Sequence, residues 1–388
     1  FPDFISYCDY PLRINPSGPD VAKASEQWLL DGAPLSERKR KAFLGLKSGD
    51  LSAMCYPDVE ADRLRVVADY MNYLFKLDDW SDEFEADEIH VMRDCVMGCL
   101  EDPVGFATEE PVGLLTKSFF SRFVKTGGPG CRQRFIDTME LFFRAVTQQA
   151  LDRINDDIPD LESYIALRRD TSGCKPCFAL IEYAAGIDLP DEVVNHRSIK
   201  ILEDAANDLV SWSNDIFSFN VEQARGDTHN SVIIVMNEEG LDIQAAIDHV
   251  GSLCFATLNT FARVRASLPS WGPDVDADVE KYVMGLQDWI IGSLHWSFLT
   301  QRYFGKNGEE VKKTLTVALL PKKAAQQTPA PQAEVQQSEV QQEAESKSAP
   351  ADGSNPVLSD APGGLLTAIW GMFGAAFRRA TFSSHRLS

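Results

Sequence analysis

From Val21 to about Phe304 the apolar residues recur at helical spacing, and alternating strand patterns are nearly absent. In VAKASEQWLLDGA, ADRLRVVADYMNYLFKLDD, RFIDTMELFFRAVTQQALDRI and SIKILEDAANDLVSWSNDIFSFNVEQA they fall at i, i+3, i+4 and i+7. That pattern is the mark of a helix with one face turned to a core. Gly- and Pro-rich punctuation at 102–105, 126–130 and 268–274 separates the segments. Helices without strands bury their apolar stripes against one another. The sequence therefore predicts an all-α, single-domain helical bundle over roughly residues 10–310, with on the order of ten helices. With 44% hydrophobic residues the chain has the apolar mass for a sizeable core.

After about Pro321 the character changes. The stretch 322–356 is rich in Gln, Glu, Ala, Ser and Pro, holds almost no large apolar residue, and reads as a disordered linker. Leu365, Leu366, Ile369, Trp370, Met372, Phe373 and Phe377 then lead into Arg378 and Arg379. These make a short amphipathic segment suited to docking or to weak contact with a membrane surface or a partner. No run of apolar residues is long enough to span a membrane, and the first residues lack the apolar core of a signal peptide. The net charge of −21 argues against nucleic acid as a partner. Eight scattered cysteines form no disulfide framework and point to buried thiols in a reducing, cytoplasmic setting. Cys174 and Cys177 form C-x-x-C, but no second pair stands at zinc spacing.

Two clusters carry chemistry. DDWSDEFEADE, residues 78–88, holds seven carboxylates and ends the apolar run MNYLFKL. Asp78 and Asp82 stand at i and i+4, on one face of the helix. A helix C-terminus is already electronegative, so paired carboxylates there repel unless a cation neutralises them. Mg²⁺ prefers such oxygen ligands and commonly bridges one or two carboxylates to substrate phosphates. From these residues alone, a metal site and a solvated acidic helix end both stand. In NDIFSFNVE, Asn214, Ser218 and Glu222 recur every four positions and drift by only about 80° over eight residues. They offer an amide oxygen, a hydroxyl and a carboxylate along one face of an otherwise apolar helix, a donor set for a hard cation.

Together these residues resemble the motifs of class I terpene synthases. Asp78-Asp79-Trp80-Ser81-Asp82 resembles the family's aspartate-rich motif, and Asn214-Asp215-x-x-Ser218-x-x-x-Glu222 matches its second metal motif without a gap. Arg168-Arg169-Asp170-Thr171-Ser172-Gly173 looks like the diphosphate-sensing arginine and the helix break that follows it. Trp296-Ser297 leading to Arg302-Tyr303 looks like the terminal Arg-Tyr pair, and GDTHN at 226–230 fits the microbial branch. The wording of DYPLRINP and LDDWSDEF is most similar to basidiomycete sesquiterpene synthases, in the group making germacrene, muurolene and cadinene skeletons. Many relatives carry Lys or Arg just before the motif's Glu, where this chain has Val221; Arg225, one turn later, is the candidate to supply that charge.

The resemblance implies a catalytic domain at 1–312, a linker at 313–360 and the amphipathic segment at 361–383. It implies a sesquiterpene cyclase acting on farnesyl diphosphate with three Mg²⁺ ions, two at Asp78 and Asp82 and a third at Asn214, Ser218 and Glu222. Arg168, Arg302 and Tyr303 would hold and polarise the diphosphate, with Arg225 beside them. Leu74, Phe75, Thr171, Ser172, Gly173, Trp296 and Leu299 would line the substrate pocket, and a first closure between C1 and C10 is the expected course. A prenyl-elongating synthase would carry a second aspartate-rich motif where this chain has Asn-Ser-Glu. A non-enzymatic helical scaffold is the remaining alternative.

Overall fold

The computed structural model describes residues 1–155 and 157–322. Among them every regular element is a helix. The longer ones are α1 (Gly18–Gly32), α2 (Glu37–Leu46), α3 (Ser48–Cys55), α4 (Ala61–Glu83), α5 (Ala86–Glu101), α6 (Pro111–Thr126), α7 (Pro129–Asn155), α8 (Leu161–Thr171), α9 (Cys174–Ala185), α10 (Arg197–Arg225), α11 (Ser231–Glu239), α12 (Ile243–Arg265) and α13 (Pro273–Leu299). Single turns at Phe4–Tyr7, Asp191–Val194 and Gln301–Phe304, a 3-10 turn at Gly305–Asn307 and a last short helix, Gly308–Thr314, complete the elements of the described residues. None is long and apolar enough to cross a membrane.

Helix α10 packs against α12 and α13, α13 against α3 and α9, α4 against α1, and α7 against α5 and α9. The apolar stripe of α4 shows how packing leads to the site. Leu64, Val67, Tyr70, Met71, Leu74 and Leu77 are all buried, and Tyr70 stacks into a cluster with Phe119 and Phe135. The same face, continued by i+4 steps from Leu74, presents Asp78 and then Asp82. No basic residue stands in the last turn of α4, so the acidic end is not offset from within its own helix.

Two departures from helix stand out along the chain. Between α8 and α9 the chain turns at Gly173, whose φ of +69° is left-handed. A Cβ there would also meet Leu74 at 2.9 Å. At the other end of the domain, residues after Thr314 lie along α10. The Asn220 amide donates to Ala318 O at 2.9 Å and accepts from Leu320 N at 2.8 Å, while Gln223 donates to Leu320 O at 2.8 Å. The linker expected from residue 313 is thus packed on the domain as far as Leu320. The sequence does not show this because the contacts come from two amides on a helix about a hundred residues away. The rest of the expected linker and the segment 361–383 lie outside the described residues.

Replacing Gly173 with Ala forces a side chain into left-handed backbone, at about 1–2 kcal/mol, and into contact with Leu74. Thermal unfolding followed by circular dichroism should show a midpoint lowered by a few degrees with helical content unchanged; an unaltered midpoint would contradict this reading of the break.

Candidate active site

The helices enclose a cavity of about 850 Å³. Met71, Leu74, Phe75, Asp78 and Asp82 of α4 line it, with Arg168 and Thr171 to Cys174 at the break after α8. Val210, Ser211, Asn214, Asp215, Glu222 and Arg225 of α10 face them, with Trp289, Ser293, Trp296 and Ser297 of α13 and then Arg302 and Tyr303. On α4, α10 and α13 the largely apolar lining comes first along the chain and the charged groups follow toward the C-terminal end. Arg302 and Tyr303 tie those ends together. The Arg302 guanidinium donates to Asp78 at 3.2 Å, and the Asn214 amide donates to the neighbouring Tyr303 hydroxyl at 2.5 Å. Phe75 stacks on Trp296 at 5.6 Å between centroids, and the guanidinium of Arg302 lies over Phe75 at 5.9 Å.

All the residues expected at the site reach this cavity except Ser218 and Leu299. Ser218 is 3% exposed; its hydroxyl donates at 3.4 Å to the Asp215 carbonyl and also faces the Glu222 carboxylate. Leu299 corrects the sequence reading. It lies about 100° around α13 from the stripe of Ser293, Trp296 and Ser297 and packs against the core instead. Carrying the face of α13 onward to Arg302 would place Leu299 on it, but the helix stops at a Thr300 cap and a new turn starts at Gln301.

The charged groups hold one another. Asp215 is buried, and its carboxylate accepts from the Tyr164 hydroxyl at 2.6 Å, from Arg168 Nε at 3.1 Å and from the Ser231 backbone at 3.1 Å. Arg168 also donates to Asn214 Oδ1 at 3.0 Å. Burial works against the Arg168 charge, yet Asp215, Tyr164 and Glu222 hold its pKa above the ordinary value. Glu222 accepts from Asn230 at 2.9 Å. Burial, with Asp215 nearby, pushes its carboxyl up to about 7. Asp82 pairs with Arg153 at 2.9 Å; burial at the mouth and the adjacent Asp78 push it up to about 6.

Both carboxyls are raised first by burial and then by a neighbouring carboxylate. Among the described residues no three His, Cys, Asp or Glu side chains come together tightly enough to enclose an ion on their own. The donors form two partial, all-oxygen sets, Asp78 with Asp82 and Asn214 with Glu222, and Ser218 stands one turn from each of the latter pair. Partial oxygen sets fit Mg²⁺, which keeps waters and completes its shell with substrate phosphate.

A family model described as "Terpene synthase family 2, C-terminal metal binding" matches residues 69–260. Sesquiterpene synthase 1 of Postia placenta is 54% identical over 323 residues, covering 83% of this chain and 95% of that protein. The chain belongs to the fungal sesquiterpene synthases of the class I terpene synthase family. Alpha-muurolene synthase of Coprinopsis cinerea is 53% identical over 327 residues, 82% of this chain and 77% of that protein. Among solved structures, germacradien-4-ol synthase from Streptomyces citricolor shares the fold, with a TM-score of 0.67 at 24% identity over 74% of this chain and 96% of that one. The protein is accordingly a terpene cyclase, a lyase of sesquiterpene biosynthesis.

Several side chains of this terpene synthase's site carry no signal in the sequence. Asp215 lies inside the second motif, but its function as the anchor of Arg168 depends on Tyr164 and Ser231, which no local spacing connects to it. Arg153 comes from the end of α7, and the adjacent Asp152 and Gln149, one turn back, line the cavity with it. His229 also lines the cavity; burial and then Arg168 lower its pKa to about 4, which leaves the ring neutral.

Asp215→Ala removes the partner of a buried guanidinium and should cost about 3–5 kcal/mol of unfolding free energy, read by denaturant titration. A loss under about 1 kcal/mol, the range of an exposed pair, would show that Asp215 does not anchor Arg168.

Proposed function

We propose that this terpene synthase ionises farnesyl diphosphate with a magnesium cluster, releases diphosphate, and cyclises the carbocation through a first bond between C1 and C10. The expected product skeletons are the cadinane, muurolane and germacrane types. The observation that carries this reading is the meeting of two oxygen-donor sets with Arg168, Arg302 and Tyr303 at the charged end of a cavity whose other end is largely apolar. The likeness to alpha-muurolene synthase supports the choice of skeleton.

In this reading Asp78 and Asp82 hold two ions, and Asn214, Ser218 and Glu222 hold a third. The bound ions supply electrostatic stabilisation of the charge that develops on the leaving diphosphate. Arg168 and Arg302 supply fixed positive charge in a form suited to bidentate phosphate contact. Arg168 holds an oxygen of Asn214 and Arg302 one of Asp78. Substrate uptake therefore exchanges these partners for phosphate oxygens. Tyr303, already facing Asn214, donates its hydroxyl proton toward the same group. Arg225, exposed at the rim, stands in for the charge that Val221 lacks.

The cation must then be kept from water while it closes. Leu74, Phe75, Met71, Phe142 and Trp296 form largely apolar walls, and aromatic faces stabilise a cation without bonding to it. A cavity of about 850 Å³ is ample for a folded fifteen-carbon chain. Thr171, Ser172 and Gly173, where the helix opens, turn backbone toward that chain.

Asp78→Asn and Asn214→Ala should each lower terpene formation from farnesyl diphosphate and Mg²⁺ by at least about a hundredfold, with circular dichroism unchanged. Gas chromatography of the headspace reads the outcome. Turnover at the wild-type rate in either variant would remove that residue from its role, and longer prenyl diphosphates in place of hydrocarbon would indicate chain elongation. A dominant product derived from closure between C1 and C11 would overturn the assigned ring closure.

A further inference from the structure

The wall at the break between α8 and α9 is fixed from behind by a residue outside the cavity lining. Asn207 is 1% exposed, on α10 two turns before Asn214 and on the same face. Its amide donates to Arg169 O at 2.7 Å. Its oxygen accepts from the Ser172 hydroxyl at 2.9 Å and from the Ser211 hydroxyl at 3.0 Å. Ser172 Oγ in turn accepts from Cys174 N, the first amide of α9, at 3.1 Å. One carboxamide thus holds the last turn of α8, the break and the start of α9 against α10. Beside it Arg169 grips Asp208 with two bonds of 2.7 Å. Thr171, Ser172, Gly173, Cys174 and Ser211 all line the cavity.

A buried amide is costly unless its groups are bonded. Two well-packed helices need no such group to stay together. What the two bonds that cross to Arg169 O and to the Ser172 hydroxyl add is direction: they fix the height and rotation of the break relative to the face of α10 that carries Asn214, while the bond from Ser211, on α10 itself, holds the carboxamide in place. The apolar wall opposite, Leu74, touches that break, so a shift of the break changes the contour in which the hydrocarbon chain folds.

We propose that Asn207 is a positioning residue for product specificity: it sets the place of the α8–α9 break against α10 and so selects among the ring closures open to the bound cation. This rests on the cyclase reading of the site. The product ratio is the telling readout. Loss of folded enzyme lowers total turnover but leaves the ratio of products unchanged, whereas a displaced wall changes the ratio itself.

The experiment compares the wild-type chain with Asn207→Ala, Ser172→Ala and the double variant, each with farnesyl diphosphate and Mg²⁺, by gas chromatography and mass spectrometry. Asn207→Ala should change the ratio of the major product to the next by roughly tenfold, the scale expected for a sub-ångström to ångström misplacement, or give a new product where the wild type gives one. Ser172→Ala should move the ratio the same way by less. The double variant should match Asn207→Ala, because both act through one network. A wild-type ratio from Asn207→Ala overturns the proposal, as does a double variant whose shift is the product of the two single shifts. Should Asn207→Ala fail to fold, Asn207→Asp keeps the oxygen for both hydroxyls but cannot donate to Arg169 O. A wild-type ratio from that variant overturns the proposal equally. If the wild-type protein itself releases no terpene, the cyclase reading falls first and the proposal with it; a normal wild-type product with an unshifted variant sinks the proposal alone.

Discussion

The site depends on satisfying one carboxylate inside the protein. Asp215 is 3% exposed at its side chain, and a carboxylate at that depth is costly to bury unless its oxygens are paired and hydrogen-bonded. It stays because Tyr164 and Arg168 of α8 and the Ser231 amide at the start of α11 all converge on it. The three interactions bring α8, α10 and α11 to one point. They also aim Arg168 at Asn214, and the loop that joins α10 to α11 brings Asn230 to Glu222. The arrangement around the charged end of the cavity follows from satisfying that single buried group.

How much of this the sequence discloses varies with what each feature depends on. The all-α fold is legible because a 3.6-residue stripe is a local property, and α4 and α10 show it along their whole length. Asp78, Asp82, Asn214 and Glu222 are legible because each extends such a stripe by i+4 steps to the charged end. Leu299 departs from expectation for the complementary reason: its face extrapolates through a helix end that a threonine cap imposes. Asp215, Arg153 and Asn207 have partners on other helices, and a hydrogen bond between distant segments leaves no periodic trace. The stretch 313–320 is linker only by the boundary that the family resemblance implies, and its contacts, made by Asn220 and Gln223, leave no local trace.

The two ends of the cavity are built by different physics. The apolar end is helix packing with a void left in it, walled largely by apolar and aromatic side chains. At the charged end, Asp78 and Asn214 are bound to Arg302 and Arg168, and burial with a neighbouring carboxylate raises the pKa values of Glu222 and Asp82. In the proposed reading a divalent cation and an anion are taken up together, since each relieves the other's electrostatic cost. Either alone leaves one set of like charges unpaired.

Isothermal titration with inorganic diphosphate, in the presence and absence of Mg²⁺, tests that coupling most directly. Binding should be at least about a hundredfold tighter with Mg²⁺, and Asp78→Asn and Asn214→Ala should each abolish this gain. Diphosphate binding of equal strength with and without the metal would contradict the coupling.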